Sequence, residues 1–261
     1  IRKTQHQARR LLKKEGLHHM TVRSIWRRFS DDYFMRYNAE EIVWHTAAIA
    51  RSKPEDLPLV LINPLGPRGG TEIFVYAEDK DLVFALTVTA LDQLNLDIQD
   101  ARIISTESGH TLDSYLVLEE DGVPVQSEAR ALEIVSRLRA ALCDTRELTA
   151  PPRRLTPRRL RHFHTPTSIQ FSNDPRHRHT VLELITADQP GMLARVGYGF
   201  TKCGIRLKNA KIATIGERAE DVFFIVDTDN EPLSDPAQLE HLKTTLEALL
   251  ADPAQRASAT A

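Results

Sequence analysis

The spacing of apolar side chains divides the chain into a helical start and two later stretches that mix strands with helices. Residues 1–52 carry helical patterns, and Asn38 followed by Glu41 forms a capping box that predicts a helix start. From Leu59 the pattern becomes strand-like, and the Pro- and Gly-rich run at 64–70 predicts a hairpin loop. After this loop the predicted order is strand, helix, strand, strand, helix.

A run rich in Pro and Arg, residues 149–166, follows the last of these helices and is typical of a solvated linker. Its basic side chains could alternatively form a docking strip for an acidic partner; they are Arg153, Arg154, Arg158, Arg159 and Arg161. Residues 167–172 then form a predicted strand, which we expect to close the first unit. After it the order begins again, and Asp235 with Pro236 predicts the start of the last helix.

A shift of 109 positions superimposes the two later stretches, so that Asp79 falls on Asp188 and Ala101 on Ala210. Because both the order of elements and the core positions agree, we interpret the two stretches as a first and a second copy of one module. The predicted class is α+β: two ferredoxin-like βαββαβ domains in tandem, each with its helices on one face of an antiparallel sheet, preceded by an α-helical segment. The predicted domains are residues 1–57, 58–175 and 176–261.

Composition narrows the functions that this module can have. The 261 residues carry a net charge of −2, so no global field attracts nucleic acid or an acidic membrane surface. The third strands lack the basic, Gly-aromatic pattern of RNA-binding sheets, and no apolar run is long enough to span a bilayer. Two cysteines give no disulfide framework and fit a reducing, cytoplasmic compartment. The histidine pairs lack a third ligand at metal spacing, so no metal site is expected.

The turn from the first strand of the second copy into its helix reads ADQPGML, residues 187–193. Pro and Gly are common where a strand turns into a helix, so the motif could be a turn signal without a further role. Alternatively it could form a ligand-binding site, because a helix N-terminus presents free amide groups and partial positive charge. Gly191 lacks a Cβ, so a ligand can approach the backbone closely. In the first copy Asp81 and Leu82 replace Pro190 and Gly191, which favours the second copy as the binding loop.

The same stretch resembles the D-x-P-G-L ligand loop of the ACT domain family, whose members bind amino acids where two domains pair. The resemblance implies ACT–ACT pairing, within the chain or in a homodimer, and an amino-acid ligand. Its carboxylate would sit on the helix amides, and a side chain such as Asp188 would meet the ammonium. The predicted ligand residues are Asp188, Gln189, Pro190, Gly191, Met192, Leu193 and Asn209, with weaker candidates Asp79, Lys80 and Asp100 in the first copy.

Longer stretches carry a second resemblance. DDYFMRYNAEEIVWHTAAI, GGTEIFVYAEDKDLVFA and the tandem repeat together resemble the C-terminal part of the bifunctional protein-PII uridylyltransferase/uridylyl-removing enzymes. This family resemblance implies a nucleotidyltransferase domain that attaches UMP from UTP to protein PII, with Mg²⁺ or Mn²⁺. It also implies an HD-type phosphohydrolase domain that removes UMP, and L-glutamine as the effector sensed by the ACT pair.

Neither catalytic motif of that family occurs in this sequence. There is no G-S-x-x-D-x-D-like motif and no His-Asp dipeptide, so we expect no catalytic residue here and no activity from this chain alone. Both active sites are expected before Ile1, with residues 1–57 as the tail of the HD region. Two alternatives stay open: the regulatory part of another ACT-containing metabolic enzyme, or a non-catalytic ACT-repeat protein that binds an amino acid or a protein partner.

Overall fold

The computed structural model describes residues 1–66, 68–80, 82–106, 108–144, 165–174, 178–216 and 218–251. Its first part, the helical segment, is residues 1–51. It contains α1 (Arg2–Lys14), α2 (His19–Trp26), α3 (Asp31–Arg36) and α4 (Ala39–Arg51). The predicted capping box is confirmed, because Asn38 accepts hydrogen bonds from the amides of Glu40 and Glu41 while the Glu41 carboxylate accepts from the Asn38 amide at 2.8 Å.

The later part forms one antiparallel sheet with helices against it, so the predicted α+β class is confirmed. The strands of the first copy are β1 (Leu59–Asn63), β2 (Thr71–Glu78), β3 (Asp97–Ser105) and β4 (His110–Leu118), and its helices are α5 (Val83–Gln93) and α6 (Glu128–Cys143). Those of the second are β5 (Ser168–Asp174), β6 (His179–Ala187), β7 (Arg206–Ile215) and β8 (Arg218–Val226), with α7 (Met192–Lys202) and α8 (Pro236–Leu250). Across the described residues the eight strands run in the order β1-β2-β4-β3-β7-β8-β6-β5.

The two copies meet at the centre of this sheet, where β3 pairs with β7. Arg102 lies opposite Lys211 in that pairing, and the 109-residue shift also makes these two residues equivalent. An approximate twofold axis therefore passes through this pair. The same axis relates α5 to α7, which pack against each other. At their contact a Cβ on Gly197 would lie 2.9 Å from the Cα of Ala85, so glycine is what allows this close approach.

Side chains alternate between the two faces of the strands, and each face has its own core. On one face a continuous core joins both copies with α5, α6, α7 and α8. On the other face the helical segment buries aromatic and aliphatic side chains of the first copy, namely Phe74, Tyr76, Ile104 and Leu112. The helical segment therefore packs directly on the back of the sheet that carries the two copies.

One strand assignment from the sequence is wrong. Residues 167–172 were expected to close the first unit, but β5 pairs with β6 of the second copy, with Ile169 opposite Leu184. The physical reason is proximity along the chain, because a short hairpin closes at a smaller entropic cost than a return to the first copy. In each copy the edge strand thus precedes the βαββα unit. The predicted domain boundaries stay predictions, since the strands form one continuous sheet.

Candidate functional site

The turn from β6 into α7 brings the backbone into the left-handed region at Gly191, whose φ is +70°. The amide of Met192 donates to the carbonyl of Gln189 at 3.0 Å and closes the turn. A Cβ on Gly191 would lie 3.0–3.2 Å from the carboxylate of Asp92, which belongs to α5 of the first copy. Glycine is therefore required twice, for the backbone angle and for the space that the other copy's carboxylate occupies.

A cavity of about 180 Å³ lies between this turn and the first copy. The second copy contributes the six predicted loop residues, Asp188, Gln189, Pro190, Gly191, Met192 and Leu193. The first copy contributes side chains from the end of α5 and the start of β3, including Asp92, Asp97 and Gln99. A single water needs only about 10–15 Å³ of such space, so this cavity has room for a small organic molecule.

Carboxylates dominate the polar part of the lining. Burial, reinforced by the charge of Asp97, raises the pKa of Asp188. Burial also raises the pKa of the neighbouring Asp221 to about 7; the amide of Ala213, which donates to Asp221 at 3.2 Å, opposes this shift, and Asp188 adds to it. Among the described residues no Lys, Arg or His lines the cavity. The lining therefore favours a ligand that brings positive charge or hydrogen-bond donors.

The N-terminus of α7 gives the same cavity an electropositive side. The first amides of a helix have no acceptor within the helix, and the helix dipole places partial positive charge there. Leu193 and Ala194, in the first turn of α7, line the cavity. The cavity lining thus combines carboxylates with a helix N-terminus, and these two kinds of group complement the two charges of a small zwitterion.

Two predicted residues, Asn209 and Asp100, lie away from this cavity on the other face of the sheet. Asn209 accepts a hydrogen bond from Arg36 of α3 at 2.7 Å, and Asp100 accepts one from Arg68 at 2.8 Å. The reason is strand alternation: Ala210 faces the helices, so its neighbour Asn209 faces the helical segment. Both side chains are bonded to arginines on the face of the sheet that carries the helical segment, and their role as ligand residues stays a prediction.

The equivalent position in the first copy is almost filled. Asp79 and Lys80 line a space of only about 20 Å³, together with Arg206, which the 109-residue shift makes equivalent to Asp97. Lys208 extends to within 3.7 Å of Asp79. The chain's own cations therefore approach the carboxylate that a ligand's ammonium would meet, and about 20 Å³ has room for little more than one water.

Sequence reasoning missed the contribution of the first copy to the open cavity. Asp92, Asp97 and Gln99 come from a helix end and a strand start that carry no motif. A usable signal existed, because equivalent positions carry opposite charges, Asp97 in one copy and Arg206 in the other. That reversal matters only once the two copies are known to face each other across a twofold axis, which a sequence repeat alone does not state.

A charged cluster lies on the opposite face of the sheet, between the helical segment and the first copy. Arg68 of the β1–β2 loop lies 3.3 Å from Glu41, 3.0 Å from Glu72 and 2.8 Å from Asp100. Glu41 and Glu72 are buried, and burial raises the pKa of Glu41. A single guanidinium therefore joins α4 to two strands of the first copy.

A second arginine joins the helical segment to the second copy. Arg36 of α3 donates to the Asn209 side chain at 2.7 Å and to the Ala210 carbonyl at 3.1 Å. Arg102 of the first copy in turn donates to the Arg36 carbonyl and lies over the ring of Tyr37. The end of α3 is thus bound to both central strands, next to the approximate twofold axis.

A larger groove of about 810 Å³ lies between α1, α4 and β1 and is lined by apolar side chains that include Trp44. Three of its charged side chains have partners within the chain: Glu15 pairs with Arg51 at 3.2 Å, and Arg139 donates to the Asp56 carbonyl at 3.4 Å. None of the residues predicted to bind a ligand lines this groove.

Other chemistry considered from the sequence finds no support in the part of the chain that the structure describes. No three His, Cys, Asp or Glu side chains cluster there as metal ligands would. Within the same residues, every helix is too short or too polar to cross a membrane. The basic run at 153–161, and with it the proposed docking strip, lies outside the described residues.

Comparison with known proteins places this geometry in a family. Residues 1–48 match the family described as uridylyltransferase GlnD fifth domain. A bifunctional uridylyltransferase/uridylyl-removing enzyme of Methylococcus capsulatus is 45% identical over 243 residues, which cover 92% of this chain and 27% of the relative. Enzymes of the same name from Stutzerimonas stutzeri and Pseudomonas putida strain W619 are 46% and 43% identical over 90% and 100% of the chain.

The chain spans between a quarter and a third of the length of these relatives, 27% and 29% in the examples above. The similarity extends over both copies and the helical segment, and the family match falls on the helical segment itself. The chain therefore belongs to the family of bifunctional uridylyltransferase/uridylyl-removing enzymes and corresponds to the C-terminal part of its members.

Proposed function

We propose that this region is the glutamine sensor of a cytoplasmic enzyme that attaches UMP to protein PII and removes it. In this proposal catalysis takes place in the rest of the enzyme, which uses UTP with Mg²⁺ or Mn²⁺. Binding of L-glutamine between the two copies would shift the balance toward removal. The observation that supports it best is the cavity of about 180 Å³ at the junction of the copies, whose lining includes both the N-terminus of α7 and several carboxylates.

An amino acid suits this cavity because its two charged groups match the two kinds of group in the lining. The α-carboxylate would lie at the first turn of α7, where the helix dipole contributes about 0.3–1 kcal/mol, and about 2 kcal/mol if partly buried. The ammonium would lie toward Asp188 and Asp97, whose mutual repulsion it relieves. One ligand per chain is expected, since the equivalent space in the first copy is about 20 Å³.

The lining also favours an amide side chain over an acid. A glutamate ligand would bring a second carboxylate next to Asp92, Asp97 and Asp188 with no lining cation to offset it. Two like charges 6 Å apart repel by about 3 kcal/mol at an effective dielectric constant of 20. Glutamine carries an uncharged amide that donates two hydrogen bonds, which these carboxylates and the amides of Gln99 and Gln189 can accept.

Titration calorimetry on this chain tests the proposal. We expect saturable binding of one L-glutamine at millimolar or lower concentration, and at least about tenfold weaker binding of L-glutamate, which corresponds to about 1.4 kcal/mol. The Asp188→Asn variant should weaken glutamine binding by about tenfold. Its matched control is Asp79→Asn, the same substitution at the equivalent position, which should bind as the unmodified chain does. A flat glutamine titration, or equal effects of the two variants, would contradict the proposal.

Regulation needs a readout in the full-length enzyme as well. There, Asp188→Asn should raise the glutamine concentration needed for half-maximal stimulation of UMP removal, while the rates without glutamine stay unchanged. The chain alone is expected to transfer no UMP to PII. An Asp188→Asn enzyme whose glutamine response matched that of the unmodified enzyme would show that this cavity is not the regulatory site.

A further inference from the structure

We propose that Arg195, in the first turn of α7, is the positioning residue that holds the 188–191 turn in its ligand-binding conformation. This inference rests on the proposed function, because it assigns the group that shapes that site. Arg195 does not line the cavity in the described residues, and neither copy's loop motif includes it. It acts from beneath the turn, through the backbone and side chain of two residues that do line the cavity.

The contacts of Arg195 fix both ends of the turn's outer segment. Its Nη1 donates to the carbonyl of Pro190 at 3.1 Å, and its Nη2 lies 3.5 Å from the Oε1 of Gln189. Its backbone amide donates to the carbonyl of Gly191 at 3.0 Å. The side chain is only 7% exposed, so these bonds form away from competing water. Helical side chains point back toward the N-terminus, which is why a residue one turn into α7 reaches the turn that precedes it.

The placement of this cation is unfavourable on local grounds, which points to a role beyond helix stability. The N-terminus of a helix carries partial positive charge and favours acidic side chains, not basic ones. A buried arginine there needs compensation, and the hydrogen bonds to the Pro190 carbonyl and the Gln189 side chain supply part of it. Both partners belong to the turn, so the arginine is compensated by the segment that it holds in place.

Comparison of the two copies supports the assignment independently. The 109-residue shift places Leu86 at the position of Arg195, with α5 and α7 in register along their whole length. The copy with leucine has a space of about 20 Å³, and the copy with arginine has one of about 180 Å³. The open cavity and the buried cation thus occur together in the same copy.

Two substitutions separate positioning from packing. Arg195→Met keeps an unbranched apolar stem but removes the charge and every donor, whereas Arg195→Lys keeps a cation and a donor. Calorimetry should show that the Met variant binds L-glutamine at least about tenfold more weakly, as expected for losing charge-assisted hydrogen bonds, and that the Lys variant stays within about threefold of the unmodified chain. Thermal unfolding of both variants checks that the fold is retained.

Hydrogen exchange of the loop amides, measured without ligand, makes the test independent of the ligand's identity. We expect faster exchange at the amides of Gln189, Gly191, Met192 and Leu193 in the Met variant than in the Lys variant, with unchanged exchange in β7 and β8. If the unmodified chain binds no amino acid, the sensing function fails, and the exchange data still decide the role of Arg195. Unchanged binding and exchange in a folded Met variant, or equal impairment of the Met and Lys variants, would overturn the assignment.

Discussion

Two glycines in α7 allow the packing of the copies to be measured by a matched pair of substitutions. Gly197 faces α5 across the approximate twofold axis, where a Cβ would lie 2.9 Å from the Cα and 3.1 Å from the Cβ of Ala85. Gly199 faces α8, where a Cβ would lie 2.8 Å from the Cδ2 of Leu246 and 3.1 Å from the Cδ1 of Leu249. The first neighbour is backbone and cannot move alone, whereas the second neighbours are the ends of flexible side chains.

The two substitutions to alanine therefore share one favourable contribution and differ in the unfavourable one. Replacing glycine by alanine within a helix stabilises it by about 0.8–1 kcal/mol. Overpacking against an immobile neighbour costs about 1–3 kcal/mol, so Gly197→Ala should lower the free energy of unfolding by about 0–2 kcal/mol. At Gly199 a small rotation of two leucines removes the overlap, so Gly199→Ala should be neutral or raise that free energy by about 1 kcal/mol.

Urea or thermal unfolding of this chain measures the difference. For a chain of this size 1 kcal/mol corresponds to a shift of about 2–4 °C in the unfolding midpoint. The Gly197→Ala variant should also bind glutamine more weakly, because Val88 and Asp92, farther along α5, line the cavity. The reasoning is refuted if Gly197→Ala unfolds at a higher temperature than Gly199→Ala, since the close approach of α5 and α7 would then not limit the packing.

Three further predictions concern the polar groups. Arg68→Ala should cost about 3–5 kcal/mol because it removes the cation from the buried Glu72 carboxylate and leaves Glu41 only the more distant Arg102 at 3.6 Å. Arg51→Ala, at an exposed pair, should cost under about 1 kcal/mol, and urea midpoints compare the two variants. The pKa of Asp221 is raised to about 7, so its protonated form stabilises the fold fully below about pH 4, and this contribution is lost by about pH 7. Asp221→Asn should therefore reduce the fall in the unfolding midpoint between pH 5 and pH 8. Arg36→Ala should lower the free energy of unfolding by about 1–3 kcal/mol. It should also weaken the response of the full-length enzyme to glutamine, measured by enzyme assay, while calorimetry on this chain alone shows an unchanged affinity for glutamine.

The repeat and the capping signals predicted most of the fold because they report on local chemistry. The capping box at Asn38, the hairpin loop before β2 and the registered helices α5 and α7 all follow from neighbours in the sequence. The position of β5 does not follow from its sequence neighbours, because a strand's partner depends on which sheet edge is free and near in space. Only the observed pairing with β6 assigns β5 to the second copy.

The candidate site was predictable from one side only. The turn at Asp188–Leu193 follows from Gly191 and the start of α7, and all six of its residues line the cavity. The other wall depends on which way the first copy faces, and this orientation is set by the β3–β7 pairing. The face on which Asn209 lies was unpredictable for the same reason, since a bulge between Leu207 and Asn209 and the alternation of the strand determine it.

The twofold arrangement bears on how a duplicated module could act as a single sensor under the proposed function. A symmetric pair of copies would present two equal cavities, and each of them could then take a ligand. Charge reversal between Asp97 and Arg206 breaks that symmetry, leaving one cavity acidic and open and the other filled by the chain's own cations. Ile212 of β7 lines the open cavity, and Ala210, two residues away, accepts a hydrogen bond from Arg36 of α3. If the cavity binds a ligand as proposed, a shift of this strand would therefore act directly on α3. The asymmetry would then connect one binding event to the helical segment through a single central strand.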